Sequence, residues 1–193
     1  MGLAIKVRMN YWIISDEHYG HANIIKYCDR PFKNVHEMNY HLMRATRRVM
    51  KPDDIMIHLG DVGFGSRSFM ENMKREVQAW PGTHIAIRGN HDRKHSRLLQ
   101  MGFCASFDSL EIVYNGLRIL MTHRPRYERP DGVDIVLHGH VHRALQQNLI
   151  EANEKPIIPL FNVNMCVDVT DLQPQSLDHA IKRWRKQNER EAK

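Results

Sequence analysis

Five strand-like runs in this chain each end in side chains able to bind a metal ion. Tyr11-Trp12-Ile13-Ile14-Ser15 leads into Asp16-Glu17-His18, and Ile55-Met56-Ile57-His58-Leu59 leads into Gly60-Asp61. Ile85-Ala86-Ile87-Arg88 leads into Gly89-Asn90-His91-Asp92. The run over 117–122 ends at His123, and the run over 133–137 ends in His138-Gly139-His140-Val141-His142. Strand side chains alternate faces, so Ile85 and Ile87 share one, and Gly89 lets the backbone turn where a Cβ would clash. One such end is an ordinary turn, since Asn, Gly and Asp all favour turns. Five of them point to a fold that gathers strand ends at one edge, where open α/β sheets carry their sites.

The segments between the runs read as helices. Asn34 with Glu37 three residues on is a capping-box pattern, and Val35, Met38, Leu42, Ala45 and Val49 follow at helical spacing. Ser68 with Glu71 predicts a second helix carrying Phe69, Met73, Val77 and Trp80 on one face. A short third helix is expected over 93–100, stopped by Gly102. Strand–helix alternation argues for parallel strands. The second half is richer in strands. Runs over 110–114 and 117–122 flank Asn115-Gly116, a hairpin signal, and 160–169 reads as extended. Ser176 caps a basic amphipathic helix over about 176–190, with Leu177, Ile181 and Trp184 on its apolar side. Two packed sheets with helices outside accommodate both halves, in one domain over 1–193.

Composition narrows the function classes. Three cysteines form no C-x-x-C pair, which argues against a disulfide framework or a thiolate zinc site and suits a reducing, cytoplasmic setting. Charged residues interrupt the first eight positions, so no signal peptide is expected, and no apolar run is long enough for a membrane span. The net charge of +6 favours anionic partners, phosphate esters or nucleic acid.

The donors at the strand ends are oxygen and imidazole, a mixture that suits Mn, Fe, Zn or Ni. Their number suggests two ions. Asp16, His18 and His142 are placed on one, Asn90, His123 and His140 on the other, and Asp61 between them, because a carboxylate has two oxygens to share. Two such ions about 4 Å apart can clamp a phosphoryl group and lower the pKa of a bridging water.

Asp16-x-His18, Gly60-Asp61, Gly89-Asn90-His91-Asp92, His123 and Gly139-His140-x-His142 resemble, in order, the five motifs of calcineurin-like metallophosphoesterases. His21-Ala22-Asn23-Ile24-Ile25, Arg30-Pro31-Phe32 and the tail from Val167-Asp168 to Pro174-x-Ser176-Leu177 look like the small bacterial and phage branch of that family. The resemblance implies a four-layer α/β/β/α sandwich with two mixed sheets packed face to face. It implies the same ligand split, two divalent ions with Mn foremost, and His91 near the leaving-group oxygen. His91 would then protonate the leaving alcohol, with Asp92 orienting its imidazole; Asp92 could equally cap a helix before Arg93.

His21 and Arg124 are candidate substrate-phosphate contacts, each against a structural or solvated alternative. His58 reads as a satisfied core histidine, His138 as packing or second shell, and Glu17 as pointing away from the metals. The basic residues Lys182, Arg183, Arg185 and Lys186 read first as the wet face of a helix. The expected activity is hydrolysis of phosphodiesters of nucleotide or cyclic-nucleotide type, at an open site, since the segments between motifs are too short for a capping domain. A metal-dependent nuclease on DNA or RNA ends is the alternative within enzymes. A silent scaffold and a charge-driven nucleic-acid binder are the alternatives outside it. The oligomeric state has no sequence signal.

Overall fold

Three strands pair in parallel at the centre of one sheet in a computed structural model of the chain, which describes residues 9–142 and 158–191. They are β1 (Tyr11–Ile14), β2 (Ile55–His58) and β3 (Thr83–Ile87). Their β-branched residues suit a pleated surface buried on both faces. Alternation sends Ile14, Met56 and Ala86 to one face and Ile13, Ile57 and Ile87 to the other. The first face is covered by α1 (Ile24–Tyr27), α2 (Val35–Val49), α3 (Arg67–Ala79) and α4 (His95–Gln100), through Ile24, Met38, Leu42, Met73, Val77 and Leu98. The edges are β4 (Ala105–Phe107), parallel to β3, and β9 (Gln175–Ser176), antiparallel to β1.

The second sheet runs β5 (Ser109–Tyr114), β6 (Leu117–Thr122), β7 (Ile135–His138), β8 (Asn162–Asn164), with the first pair antiparallel and the others parallel. Asn115 and Gly116 join the hairpin with φ of 51° and 79°, the two positive values a type I′ turn needs. Ile119, Met121, Ile135, Leu137 and Val163 face Ile13, Ile57 and Ile87 across the core between the sheets. The architecture is the expected α/β sandwich of two mixed sheets. The last helix, α5 (Leu177–Glu191), packs on the edge strands β8 and β9 and on β1 beside β9, and puts Leu177, Ala180 and Ile181 into the core between the sheets.

Local chemistry accounts for the departures from expectation. The N-cap of α3 is Ser66, not Ser68: its extended backbone lets Oγ accept the Phe69 N–H at 3.3 Å, while Ser68 lies inside the first turn. Helix α4 begins at His95 rather than near Arg93, because Arg93 has a left-handed φ of 60°. The extended stretch expected over 160–169 is a strand only over Asn162–Asn164; a 3₁₀ turn follows at Val167–Val169. Arg183 is half-buried and donates to the Asn164 carbonyl at 3.0 Å, so it is not on the wet face of α5. No helix among the described residues is long and apolar enough to cross a membrane.

Candidate metal centre

The five strand ends are tied to one another in a closed circuit of hydrogen bonds. The Asp16 and His18 amides donate to the Gly60 and Asp61 carbonyls at 3.0 and 3.2 Å. The His91 amide donates to Asp61 Oδ1 at 2.8 Å, and His123 Nε2 lies 2.9 Å from Asn90 Oδ1. The Gly139 amide donates to the His123 carbonyl at 2.9 Å, and the His140 amide returns to Asp16 Oδ2 at 2.9 Å. Seven side chains from distant segments are thereby held in one cleft.

Two donor sets result. Asp16, His18 and His142 present ligand atoms within 4.8 Å of one another, and so do Asp61, His123 and His140. Asn90 joins the second set through its contact with His123. Asp61 stands between them, but through a single oxygen. Oδ1 is taken by the His91 amide, while Oδ2 lies 3.8 Å from His18 Nε2 and 3.3 Å from His123 Nε2. Asp16 is divided in the same way: Oδ2 accepts the His140 amide, and Oδ1 is buried without a hydrogen-bond partner among the described residues. Both ring nitrogens of His18 are also buried and have no hydrogen-bond partner among the described residues. Buried polar atoms without partners are expensive, and a cation is the partner that a carboxylate oxygen and an imidazole nitrogen can share. The donor set therefore fits divalent transition-metal ions.

The ring orientations suit that use. His123 Nδ1 donates to the Leu59 carbonyl at 2.8 Å, leaving Nε2 to face Asp61. His142 gives its Nδ1 proton to Asp168 and turns Nε2 toward Asp16 Oδ1, 3.8 Å away. An acceptor bonded to one imidazole nitrogen fixes the other as the one free for a metal. Burial lowers the His18 pKa to about 2, against the pull of Asp61. Burial, then His123, lowers that of His140 to about 4. Both rings are thus neutral, the form that ligates. Burial opposes charge on His142 as well, but Asp168 outweighs it and holds the pKa up at about 10. Asp61 is lowered to about 2, its burial overcome mainly by the His123 hydrogen bond.

Asp92 has a different task from the one expected. Its carboxylate accepts the backbone amides of Asp61 and Gly89 on Oδ2 and of Val62 on Oδ1, at 2.7, 2.7 and 3.0 Å. It neither caps α4 nor bonds the His91 imidazole; it clamps the turn that carries Asp61. Gly89 is required for closeness to that turn rather than for a left-handed φ, since a Cβ there would lie 2.2 Å from Asp61 Oδ1. Gly139 is alike, with a Cβ falling 1.9 Å from Ser15 Oγ. Strain sits on the ligand positions themselves: Asp16, His18, Asp61 and His140 have φ of 63°, 54°, 58° and 66°. A left-handed non-glycine residue costs about 1–2 kcal/mol.

The remaining sequence candidates divide. His91 is half-exposed at the mouth, with Nε2 4.0 Å from Asp61 Oδ2 and its ring edge on Phe64. Phe64 stacks on the His18 ring at 5.5 Å and touches His21 at 4.9 Å, so His21 borders the first donor set. Arg124 lies on the other flank, lining a cleft with Asn90 and His123. Glu17 points away from the donors and meets His58 Nε2 at 2.6 Å, both fully buried. His58 Nδ1 accepts the Gly60 amide at 3.0 Å, so the ring carries its proton on Nε2, toward Glu17. His138 is buried and donates to the Gly139 carbonyl at 2.7 Å.

Sequence reasoning assigned no role to Arg30 and Asp168. Arg30 donates to both oxygens of Asp168 and also to the carbonyls of Asp16 and Glu17, at 2.7 Å each. The signal was present, since both residues stand in the stretches that resemble the small bacterial and phage branch. The Cys28 sulfur lies within 4.8 Å of the His142 and Asp168 donor atoms, but those two already bond each other.

Comparison with known proteins agrees with this geometry. Residues 9–158 match the calcineurin-like phosphoesterase superfamily domain. An uncharacterized protein of Methanocaldococcus jannaschii is 34% identical over 177 residues, covering 89% of each chain. The gene 66 protein of Mycobacterium phage D29 is 27% identical over 160 residues, 69% of this chain and 78% of that one. The crystal structure of a protein of unknown function from Aquifex aeolicus superposes with a TM-score of 0.68 at 26% identity, over 91% of this chain and 99% of that one. Five ligand-bearing strand ends on a two-sheet sandwich, matched along most of its length, place this chain in the calcineurin-like phosphoesterase superfamily, whose members use divalent metal ions.

Proposed function

We propose that this phosphoesterase hydrolyses phosphodiesters with two divalent ions, manganese foremost, held by Asp16, His18 and His142 on one side and Asn90, His123 and His140 on the other. The observation that carries the reading is Asp61 Oδ2, which stands within 4 Å of imidazoles from both donor sets. Ions held there would neutralise the phosphoryl oxygens and supply an acidified water as nucleophile.

The protein's own groups do the rest. Arg30 grips the backbone of Asp16 and Glu17, Asp92 grips the turn of Asp61, and the ligands arrive already oriented. His91 is held by its own amide to Asp61 Oδ1, so its ring stands over the centre, where it can deliver a proton to the departing alkoxide. The half-exposed His91 and exposed Asn90 leave room for both arms of a diester.

The test compares bis-p-nitrophenyl phosphate with p-nitrophenyl phosphate as Mn²⁺, Ni²⁺, Zn²⁺ and Fe²⁺ are varied, with a chelator control. Metal-dependent turnover that favours the diester is expected. Preference for the monoester would overturn the diester assignment, and no turnover with any ion would overturn the enzyme reading in favour of a scaffold.

A further inference from the structure

The loop that leaves β6 beyond His123 has the sequence Arg124-Pro125-Arg126-Tyr127-Glu128-Arg129. Arg124 and Arg126 are exposed on either side of buried Pro125, and Tyr127 is 69% exposed. Their backbones are nevertheless fixed by buried polar side chains. Thr122 Oγ1 donates to the Arg124 carbonyl at 2.6 Å. Asn162, 3% exposed, accepts the Arg126 amide at 2.9 Å and donates to its carbonyl at 2.8 Å. Among the described residues neither guanidinium has a carboxylate partner, while the nearby Arg88 has Asp108 and Arg118 has Glu111. A fixed backbone presenting two unpaired arginines and an uncovered tyrosine is built to meet something outside the fold.

The cavities give the path. Arg88 with its partner Asp108, Asn90, Thr122, His123 and Arg124 line a cleft of about 350 Å³ that opens on the second donor set. Arg126 lines that cleft and also a second one, of about 760 Å³, where Tyr127 and Arg129 stand beside the carboxylates of Glu128 and Asp131. Anionic groups can therefore step from the metals to Arg124 and Arg126, and a flat apolar ring can rest on Tyr127. Arginines interleaved with an exposed aromatic ring track a single strand, because every base offers a π-face and every link a phosphate. His91 lies on the opposite flank, against Phe64 and His18.

We infer that this groove holds single-stranded nucleic acid, and that the substrate is a strand whose scissile phosphate sits at the metals. The strand continues over Arg124 and Arg126 to a base on Tyr127, and the leaving portion departs past His91. The inference rests on the phosphodiesterase reading above and assigns its substrate class.

The test uses the full chain. Anisotropy of a labelled oligothymidylate of about eight nucleotides is read in chelator across a salt series, and cleavage of the same oligomer is read with Mn²⁺ beside bis-p-nitrophenyl phosphate. Tyr127→Ala is expected to weaken strand binding by roughly tenfold. Arg126→Ala is expected to lower the salt slope by about one. Each variant should lower kcat/KM for the oligomer at least several-fold more than for the small diester. Equal effects on both substrates, or a duplex bound as well as the single strand, would overturn the inference. A nucleoside triphosphate that competes as well as the oligomer would also overturn it, because the groove would then read one nucleotide. Loss of turnover on the small diester in the wild-type protein would instead sink the phosphodiesterase reading, and the binding arm would still report on the groove.

Discussion

The imidazole of His142 gives its Nδ1 proton to the carboxylate of Asp168, 26 residues further along the chain. Asp168 lies on the 3₁₀ turn beyond β8 and is gripped by Arg30 from the segment after α1. A carboxylate in this place fixes the tautomer and raises the basicity of Nε2. Asp168→Asn should therefore weaken Mn²⁺ binding by roughly 10–100-fold with the secondary structure intact. Calorimetric titration of wild type and variant reads this directly, and equal affinities would show that the contact is only structural.

Metal binding should release protons and strengthen as pH rises. Asp168 holds the His142 pKa at about 10 despite burial, so at neutral pH an ion must displace the Nε2 proton of the imidazolium while Nδ1–H stays on Asp168. Calorimetry in buffers of different ionisation enthalpy counts the protons; a pH-independent affinity with none released would contradict the geometry. The chelated protein has the linked dependence. The raised His142 pKa contributes stability that is complete below its ordinary value of 6.5 and is lost as pH rises through about 10. The depressed Asp168 pKa contributes stability above its ordinary 3.8 that fades as pH falls.

His91→Ala and Asp61→Asn should fail differently. His91 is half-exposed and belongs to neither donor set, so its loss should lower kcat by roughly 10²–10⁴ while the bound metal persists. Asp61 faces both sets, so its amide variant should lose metal as well as activity. Metal content measured beside turnover separates the two.

Glu17 and His58 form a fully buried pair at 2.6 Å. Truncating Glu17 to Ala leaves the His58 Nε2–H with no acceptor, and a loss of about 3–5 kcal/mol is expected in urea unfolding. Adding His58→Leu should recover only part of it, since it removes the unpaired Nε2–H but also takes the Nδ1 acceptor from the buried Gly60 amide. Additive losses would show that the two residues act independently.

Much of the site was legible because each strand end carries its own donors, and all but the one at His123 do so within a few residues of a glycine. Asp16, His18, Asp61, His140 and His142 announce themselves locally. What stayed hidden acts across the chain or through backbone. Arg30 and Asp168 lie 138 residues apart, and neither is a ligand. Asp92 stood next to His91 in sequence, but its partners are amides, which every residue possesses. Strands β4 and β9, of three and two residues, are too short for a periodicity. The late start of α4 depends on one left-handed torsion at Arg93, which side-chain pattern does not encode.

Gly89→Ala should damage the centre more than the fold. Its Cβ would press on Asp61 Oδ1 at 2.2 Å and on the Asp61 amide at 2.3 Å, with no path away because Asp92 clamps both turns. Loss of one or both equivalents of bound Mn²⁺ is expected, with a modest fall in Tm.

The circuit of hydrogen bonds among the five strand ends also separates assembly from loading. A zinc finger is unfolded until its ion arrives. Here the turns that carry Asp16, Asp61, His91, His123 and His140 are fastened to one another by backbone amides that donate to carbonyl and carboxylate oxygens. Because these bonds hold the turns without passing through a metal ion, removal of the ions by a chelator is expected to leave the protein folded.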